Sequence, residues 1–398
     1  MLKHWIWLSD RPSLGARGIY QLLEEFGTAE NIYLAQKSDF FRIDGIRRAA
    51  VEGLMDKSLV DAQNVIDECA RKDISILTIN DERYPKRLLN LPDPPSVLYY
   101  KGTVLNVDEE PVIAVVGSRR GTNYGLMCAK QFGVQLSGCG CTVVSGGARG
   151  IDTMALRGAM NTGAPVICVL GCGLDIAYPP ENAELFGQIV ENGWLVSEYA
   201  PGTLPLSRNF PPRNRIISGL SVGVLIVEAA TRSGALITAE LALEQGRDVF
   251  AVPGNIDISN SNGTNRLIKD GAIVARTGWD VACEYQMQFS DKIREYKTNV
   301  PLNIRQPAST ENAKKQTPSQ TIPRQSENTI DIHEILDTLS ENEKKVITLL
   351  KDRPMHVDEL VSKCELMTTQ TLVTLTMLEV KHYIKRLPGR IFSLAEKT

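Results

Sequence analysis

Two hydrophobic rhythms divide the chain. Over residues 1–90 apolar positions recur at helical spacing: Ile19, Leu22, Leu23 and Phe26 fall at i, i+3, i+4 and i+7, one face of a helix. Gly27 is placed to stop that helix and Thr28 to cap the next. Glycine tolerates the left-handed C-cap, and a threonine hydroxyl accepts from a first-turn amide. The pattern predicts a small helical module over 1–90, SAM-like or helix-hairpin-helix-like. Its Ile43-Asp44-Gly45-Ile46 turn is either a plain connection or a phosphate contact. A short strand is expected over 74–78. A docked connector follows over 91–110, opening with Leu91-Pro92-Asp93-Pro94-Pro95.

From 111 to 285 the rhythm changes to short continuous apolar runs separated by helical stretches. Runs without alternation suit strands buried on both faces, and this spacing argues a parallel sheet. Strands are predicted at 112–116, 142–145, 166–170, 195–197, 222–227 and 249–252. The expected fold class is α/β: a Rossmann-like, doubly wound, mostly parallel sheet. Four of these strands run into loops rich in glycine and arginine. They carry Gly117-Ser118-Arg119-Arg120-Gly121, Gly146-Gly147-Ala148-Arg149-Gly150, Gly171-Cys172-Gly173, and Arg232-Ser233-Gly234. Open α/β sheets bind ligands at the carboxyl ends of their strands. A helix that follows such a loop offers unpaired amides to an anion. The cluster Arg213-Asn214-Arg215 opens a further helix in the same region.

Residues 286–330 read as a flexible linker, polar and Pro-containing with few apolar positions. Order resumes over 331–398. Helices are expected at 341–351, 357–364 and 368–380, then strands at 383–387 and 391–394 about Pro388-Gly389. Three helices and a hairpin read as a winged helix.

Composition narrows the chemistry. The net charge of −3 over 398 residues excludes a protein basic all over, so a polyanion must be held by a local patch. No apolar run reaches membrane-spanning length, and the apolar start at Trp5 is too short for a signal-peptide core. A cytoplasmic setting is the expectation. The eight cysteines lack zinc-knuckle spacing and no histidine lies between residues 5 and 332, so they read as buried thiols and no metal is expected.

Between 111 and 285 there are 11 arginines and 2 lysines. Seven of the arginines (119, 120, 149, 208, 213, 215 and 232) lie in or beside the Gly-rich loops. The guanidinium fork suits phosphate and its flat face suits a base. The alternative is that several pair with loop acids such as Asp152, Asp175 and Glu228. Gly117-Ser118-Arg119 departs from the dinucleotide fingerprint, since an arginine holds the place of the second glycine. No Gly-Lys dipeptide exists for a P-loop. Without histidine in the core no Ser-His or Cys-His pair can be built. The candidate acids Asp152, Asp175, Glu198, Glu228 and Glu240 each have an easy structural role. No catalytic residue and no cofactor is therefore expected. The winged helix carries 10 basic against 11 acidic residues over 331–398. That balance favours a protein contact over duplex binding, although Lys381, Lys385, Arg386 and Arg390 keep the second reading open.

The stretches VVGSRR (115–120), VSGGARGID (144–152), GCGLDIAYPPEN (171–182), FPPRNRIISGLS (210–221), EAATRSGALITA (228–239) and GRDVFAVPGNI (246–256) closely resemble the DNA-processing protein A family. SEY (197–199) and GTNRLIKDGA (263–272) complete the set. The resemblance implies a Rossmann-like core that binds single-stranded DNA, dimerises, and loads the RecA recombinase in natural transformation, with no enzymatic activity. It implies a DNA site at Ser118, Arg119, Gly147, Arg213, Asn214, Arg215 and Arg232. Arg120, Gly146, Arg149, Arg208, Phe210, Ser233 and Gly234 stand in the same loops. Arg208 keeps the charge of a lysine found in some members, whereas Ala230-Thr231-Arg232 replaces a lysine-bearing stretch. The dimer and RecA surface would involve Leu267, Ile268 and Val274. Few aromatics lie near these loops (Tyr124, Tyr178, Tyr199 and Phe210). Binding led by phosphates, with little sequence preference and strong salt dependence, is expected. Two rivals remain: a nucleotide phosphoribohydrolase-type enzyme of Rossmann-like fold, and an interaction scaffold whose arginine loops are structural.

Overall fold

The computed structural model describes residues 1–296 and 339–395, apart from 352, 365–367, 382 and 388–390. Most of the expected linker, and Pro388-Gly389, lie outside these residues. The chain divides into two compact units, Met1–Lys297 and Thr298–Thr398.

The first unit is built on nine strands in the order β1-β2-β6-β5-β4-β3-β7-β8-β9. They are β1 (Ser75–Thr78), β2 (Val97–Gly102), β3 (Val112–Val116), β4 (Thr142–Ser145), β5 (Val166–Leu170), β6 (Trp194–Ser197), β7 (Gly223–Ile226), β8 (Asp248–Ala251) and β9 (Ile273–Val274). From β6 to β9 every pairing is parallel. The six strands expected in the core all form. The strand expected over 74–78 is drawn into the same sheet: β1 pairs antiparallel with β2, and β2 with β6. Strands β2 and β9 were not foreseen from the sequence.

The continuous apolar runs have the use their pattern implies. Along β3, Ile113 and Val115 enter one core while Val112, Ala114 and Val116 enter the other. Period two splits a run without polar residues between two faces. Helices α8 (Asn123–Gly138) and α9 (Ile151–Met160) cover the first face. Helices α11 (Phe210–Leu220) and α12 (Gly234–Glu244) cover the second. The N-terminal helices α1 (Leu2–Ser9), α2 (Gly15–Phe26), α3 (Ala29–Leu34), α4 (Lys37–Phe40), α5 (Arg48–Met55) and α6 (Val60–Arg71) join the first core. Gly27 closes α2 at φ +76°, and the Thr28 hydroxyl accepts from Asn31 N at 3.1 Å. The remaining helices of this unit are α7 (Lys86–Leu89), α10 (Ala183–Asn192), α13 (Asn262–Lys269) and α14 (Gly278–Ala282).

Chain order fixes where a ligand can enter. After β3 the chain lays β4, β5 and β6 to one side, then returns to lay β7, β8 and β9 on the other. The crevice between the ends of β3 and β7 is thus the topological switch point, where diverging loops leave room for a ligand.

The second unit is a winged helix. Helices α15 (Glu341–Leu350), α16 (Val357–Lys363) and α17 (Thr368–Val380) pack with a sheet ordered β10-β12-β11. Its strands are β10 (Met355–His356), β11 (Ile384–Leu387) and β12 (Ile391–Leu394). Val346, Leu360, Leu375, Leu378 and Ile384 form its core. Lys381, one of the basic residues beside the hairpin, is engaged by Glu343 at 2.6 Å. Lys385 also has an interaction partner.

Candidate nucleic-acid interface

A groove of about 560 Å³ opens at the switch point. Its walls come from the loops after β3 and β7, the start of α11, the start of α12, and Asn260. Arg119, Arg120, Arg213 and Arg232 line it against a single carboxylate, Asp152.

Six of the seven loop arginines fall into two sets. Arg119, Arg120, Arg208 and Arg232 are exposed, with no acidic partner among the described residues. Arg213 and Arg215 are buried at 4% and 5% exposure. The Arg213 guanidinium donates to Gly146 O at 2.7 Å and also to Val169 O, joining the ends of β4 and β5. Asp152 stands beside it and accepts from Gly146 N at 3.1 Å. Burial pushes the Asp152 carboxyl up and the Arg213 guanidinium down, and the facing charges partly offset both shifts. Arg213 is thus the floor of the groove.

Arg215 is brought elsewhere. Two residues along α11 it points off the groove, pairing with Asp93 at 2.9 Å and Glu198 at 2.7 Å. Burial pulls its guanidinium down, and those two acids more than reverse the effect. Burial pushes the Glu198 carboxyl up, opposed by Arg215. Asn214, between the two arginines, lines the groove and donates to Gly234 O at 3.4 Å.

Arg119 lies over the Phe210 ring at 4.9 Å, and Phe210 stacks on Tyr178 with centroids 5.6 Å apart. A second, smaller pocket is formed around this pair by Arg119, Gly146, Arg149 and Arg213. The result is a half-buried aromatic surface with guanidinium groups beside it, suited to a base face next to a phosphate. Both rings stood in the sequence, but nothing local foretold that they would touch.

The other candidate acids are occupied or remote. Glu228 is buried and accepts from Thr122 N at 2.8 Å and Thr122 Oγ1 at 2.7 Å, above the start of α8. Asp175 meets Lys72 at 2.6 Å and Gly202 N at 2.9 Å. Glu240 is exposed and is not among the groove's lining residues. By contrast α12 starts in the groove with Ser233 as its cap and no acid in its first turn, so its positive end is uncompensated. Seven cysteines are buried and Cys283 is half-buried, all free. No metal-holding group is found among the described residues.

The glycines of the motifs divide in the same way. Gly146, Gly147 and Gly150 are required by packing. A Cβ on Gly150, at φ +77°, would lie 2.4 Å from Ser118 O. Gly234 is exposed and a Cβ there would meet nothing, so its smallness is useful only to something approaching from the groove. Gly150→Ala is expected to cost about 1–3 kcal/mol through the left-handed backbone alone. Gly234→Ala should leave thermal stability unchanged or raise it by about 0.5 kcal/mol, yet weaken ligand binding several-fold. Calorimetry and a binding titration on the two variants check this.

Fold and groove define a class: an open parallel-sheet protein with a cationic crevice at its switch point, followed by a winged helix. The chain belongs to the DNA recombination-mediator protein A family, whose pattern it matches over residues 75–286. Residues 334–390 match the DprA winged helix domain. Protein Smf of Synechocystis is 31% identical over 97% of this chain and 97% of its own. The X-ray structure of DNA processing protein A from Streptococcus pneumoniae shares 36% identity, over 71% of this chain and 98% of that one, with a TM-score of 0.62. A structure of the Helicobacter pylori protein, described as giving insight into its single-stranded DNA binding mode, shares 31% identity over 55% of this chain and 97% of that one, with a TM-score of 0.49. No helix among the described residues is long and apolar enough to cross a membrane.

Proposed function

We propose that this protein binds single-stranded DNA without sequence preference in the switch-point groove and passes it to a RecA-type recombinase. The observation that carries the reading is the partner census of the arginines. Arg119, Arg120 and Arg232 lie exposed along the groove with no acidic partner among the described residues, beside a Phe210 ring that every base can use. Arg208 is exposed two residues before that ring. The groove opens at the carboxyl ends of the strands, which suits a strand passing across them. Ser118, Gly146, Gly147, Asn214, Ser233 and Gly234 would shape the path, with Arg149 on its rim and Arg213 as support. The family's description as a recombination mediator supports the second half of the reading. The expected use is DNA uptake in natural transformation, in the cytoplasm.

A non-enzymatic role is supported by the state of Asp152, the one carboxylate lining the groove. It is buried and engaged with backbone amides, which leaves no free general base beside a bound ligand. Within the first unit we keep residues 1–90 as an accessory helical module, 91–110 as its connector and 111–285 as the DNA-binding core. Residues 286–330 then tether the winged helix of 331–398.

A homodimer is proposed through the edge of the sheet at β9. Ile273 and Val274 are 36% and 43% exposed there, and Leu267 is only partly buried beside them. An apolar edge strand invites pairing with a second chain, and the recombinase would share this Leu267, Ile268 and Val274 surface. Val274→Glu is expected to yield a monomer, read by light scattering, with the groove still binding DNA.

The deciding experiment is fluorescence anisotropy of a labelled oligo(dT) strand across a salt series, with a duplex for comparison. Tight binding that favours the single strand and falls steeply with salt supports the reading. No binding at low salt overturns it and directs attention to nucleotide hydrolysis.

A further inference from the structure

Arg149 differs from the other exposed arginines of the groove. It stands in the loop after β4 beside Tyr178 and Phe210. Its guanidinium meets Glu181 through two contacts, Nε to Oε1 and Nη2 to Oε2, the latter at 3.1 Å. This pairing holds the Glu181 carboxyl below its usual range. Two oxygens facing a guanidinium fork is also the geometry a phosphate offers.

The arrangement is built at the level of the backbone. Buried Asn182, next to Glu181, donates to Gly147 O at 3.0 Å and to Thr153 Oγ1 at 2.7 Å. The loop carrying Glu181 is thereby fixed to the loop carrying Arg149. The two charged side chains themselves are 51% and 52% exposed. A pair so placed keeps its partners in register, yet water competes with it and it exchanges readily.

We infer that Glu181 is a built-in counter-ion for Arg149, occupying the place of a DNA phosphate, and that strand binding exchanges the carboxylate for the phosphate. This inference rests on the single-strand reading above. Glu181 lowers the affinity of the groove in two ways. Arg149 must leave a carboxylate before it can hold the strand, and that carboxylate then stands unpaired beside the DNA backbone. The consequence is a strand held less tightly than the arginines alone would hold it, as release to a further partner requires. Glu181 is thus an affinity-setting residue that need not touch DNA.

The test is a double-mutant cycle on the full chain, with labelled oligo(dT) and a salt series. Glu181→Gln should tighten binding several-fold with little change in the slope of log affinity against log salt, because Arg149 meets the same phosphate in both proteins. In an Arg149→Ala background the same substitution should give no comparable gain. Both side chains are exposed, so unchanged melting curves should accompany each variant. A gain of the same size without Arg149 would reduce the effect to net charge and overturn the inference, as would no gain at all. Failure of the unmodified protein to bind the strand would instead overturn the parent reading, and the inference with it.

Discussion

Alanine at both Arg119 and Arg232 should lower the affinity for a single strand by about a hundredfold at moderate salt. These side chains both line the switch-point crevice, one after β3 and the other before α12. Each offers a charged fork to a phosphate, and a hydrogen bond to a charged group is worth about 1.5–3 kcal/mol. A tenfold loss per residue is the lower end of that range. Arg119 adds a face for a base through its place over Phe210. The salt dependence should fall as well, by about 0.7 for each phosphate contact removed. Stability should change by less than about 0.5 kcal/mol, as for other surface substitutions away from packed features, because neither guanidinium has an acidic partner among the described residues. Anisotropy with paired melting curves separates the two effects. Loss of affinity without loss of stability is what a scaffold reading of these loops does not produce.

Much of this architecture is legible in the residues, and the limit of legibility has a physical cause. The core strands announce themselves because a strand buried on both faces must be apolar throughout. Strand β2 escapes because Val97-Leu98-Tyr99-Tyr100 follows a Pro-rich stretch and needs β6 as a partner, with Tyr99 opposite Ser197. Strand β9 has only two residues, both exposed. The arginines show the same limit more sharply. Their number and their loops can be read from the sequence, but the direction of each cannot. Arg213 and Arg215 are two residues apart on α11, about 200° around a helix. One therefore supports the groove while the other faces Asp93, 122 positions away in sequence. A motif that names Arg-Asn-Arg cannot separate a ligand contact from a strut, since the separation depends on what has folded behind it.

Arg213→Ala tests that distinction from the other side, and should cost about 3–5 kcal/mol of stability, the usual penalty for leaving a buried charge without its counter-charge. The guanidinium is the partner of two strand-end carbonyls, Gly146 O and Val169 O. Its removal leaves those oxygens, and the Asp152 carboxyl, without compensation in a buried site. The sign of the pH dependence identifies the cause. Burial already raises the Asp152 carboxyl above its ordinary 3.8, and Arg213 opposes the rise. Without Arg213 the rise is larger, so the folded variant holds a proton at pH values where the unfolded chain has lost it. Stability then increases as pH falls toward the ordinary carboxylate value, and the penalty of the mutation shrinks over the same window. Denaturant titrations of Arg213→Ala and the unmodified protein between neutral pH and about pH 5 should therefore converge. An Arg213→Ala penalty independent of pH would assign the loss to the carbonyls instead of the carboxylate. A stable Arg213→Ala protein with weakened DNA binding would return this residue to the set of direct contacts.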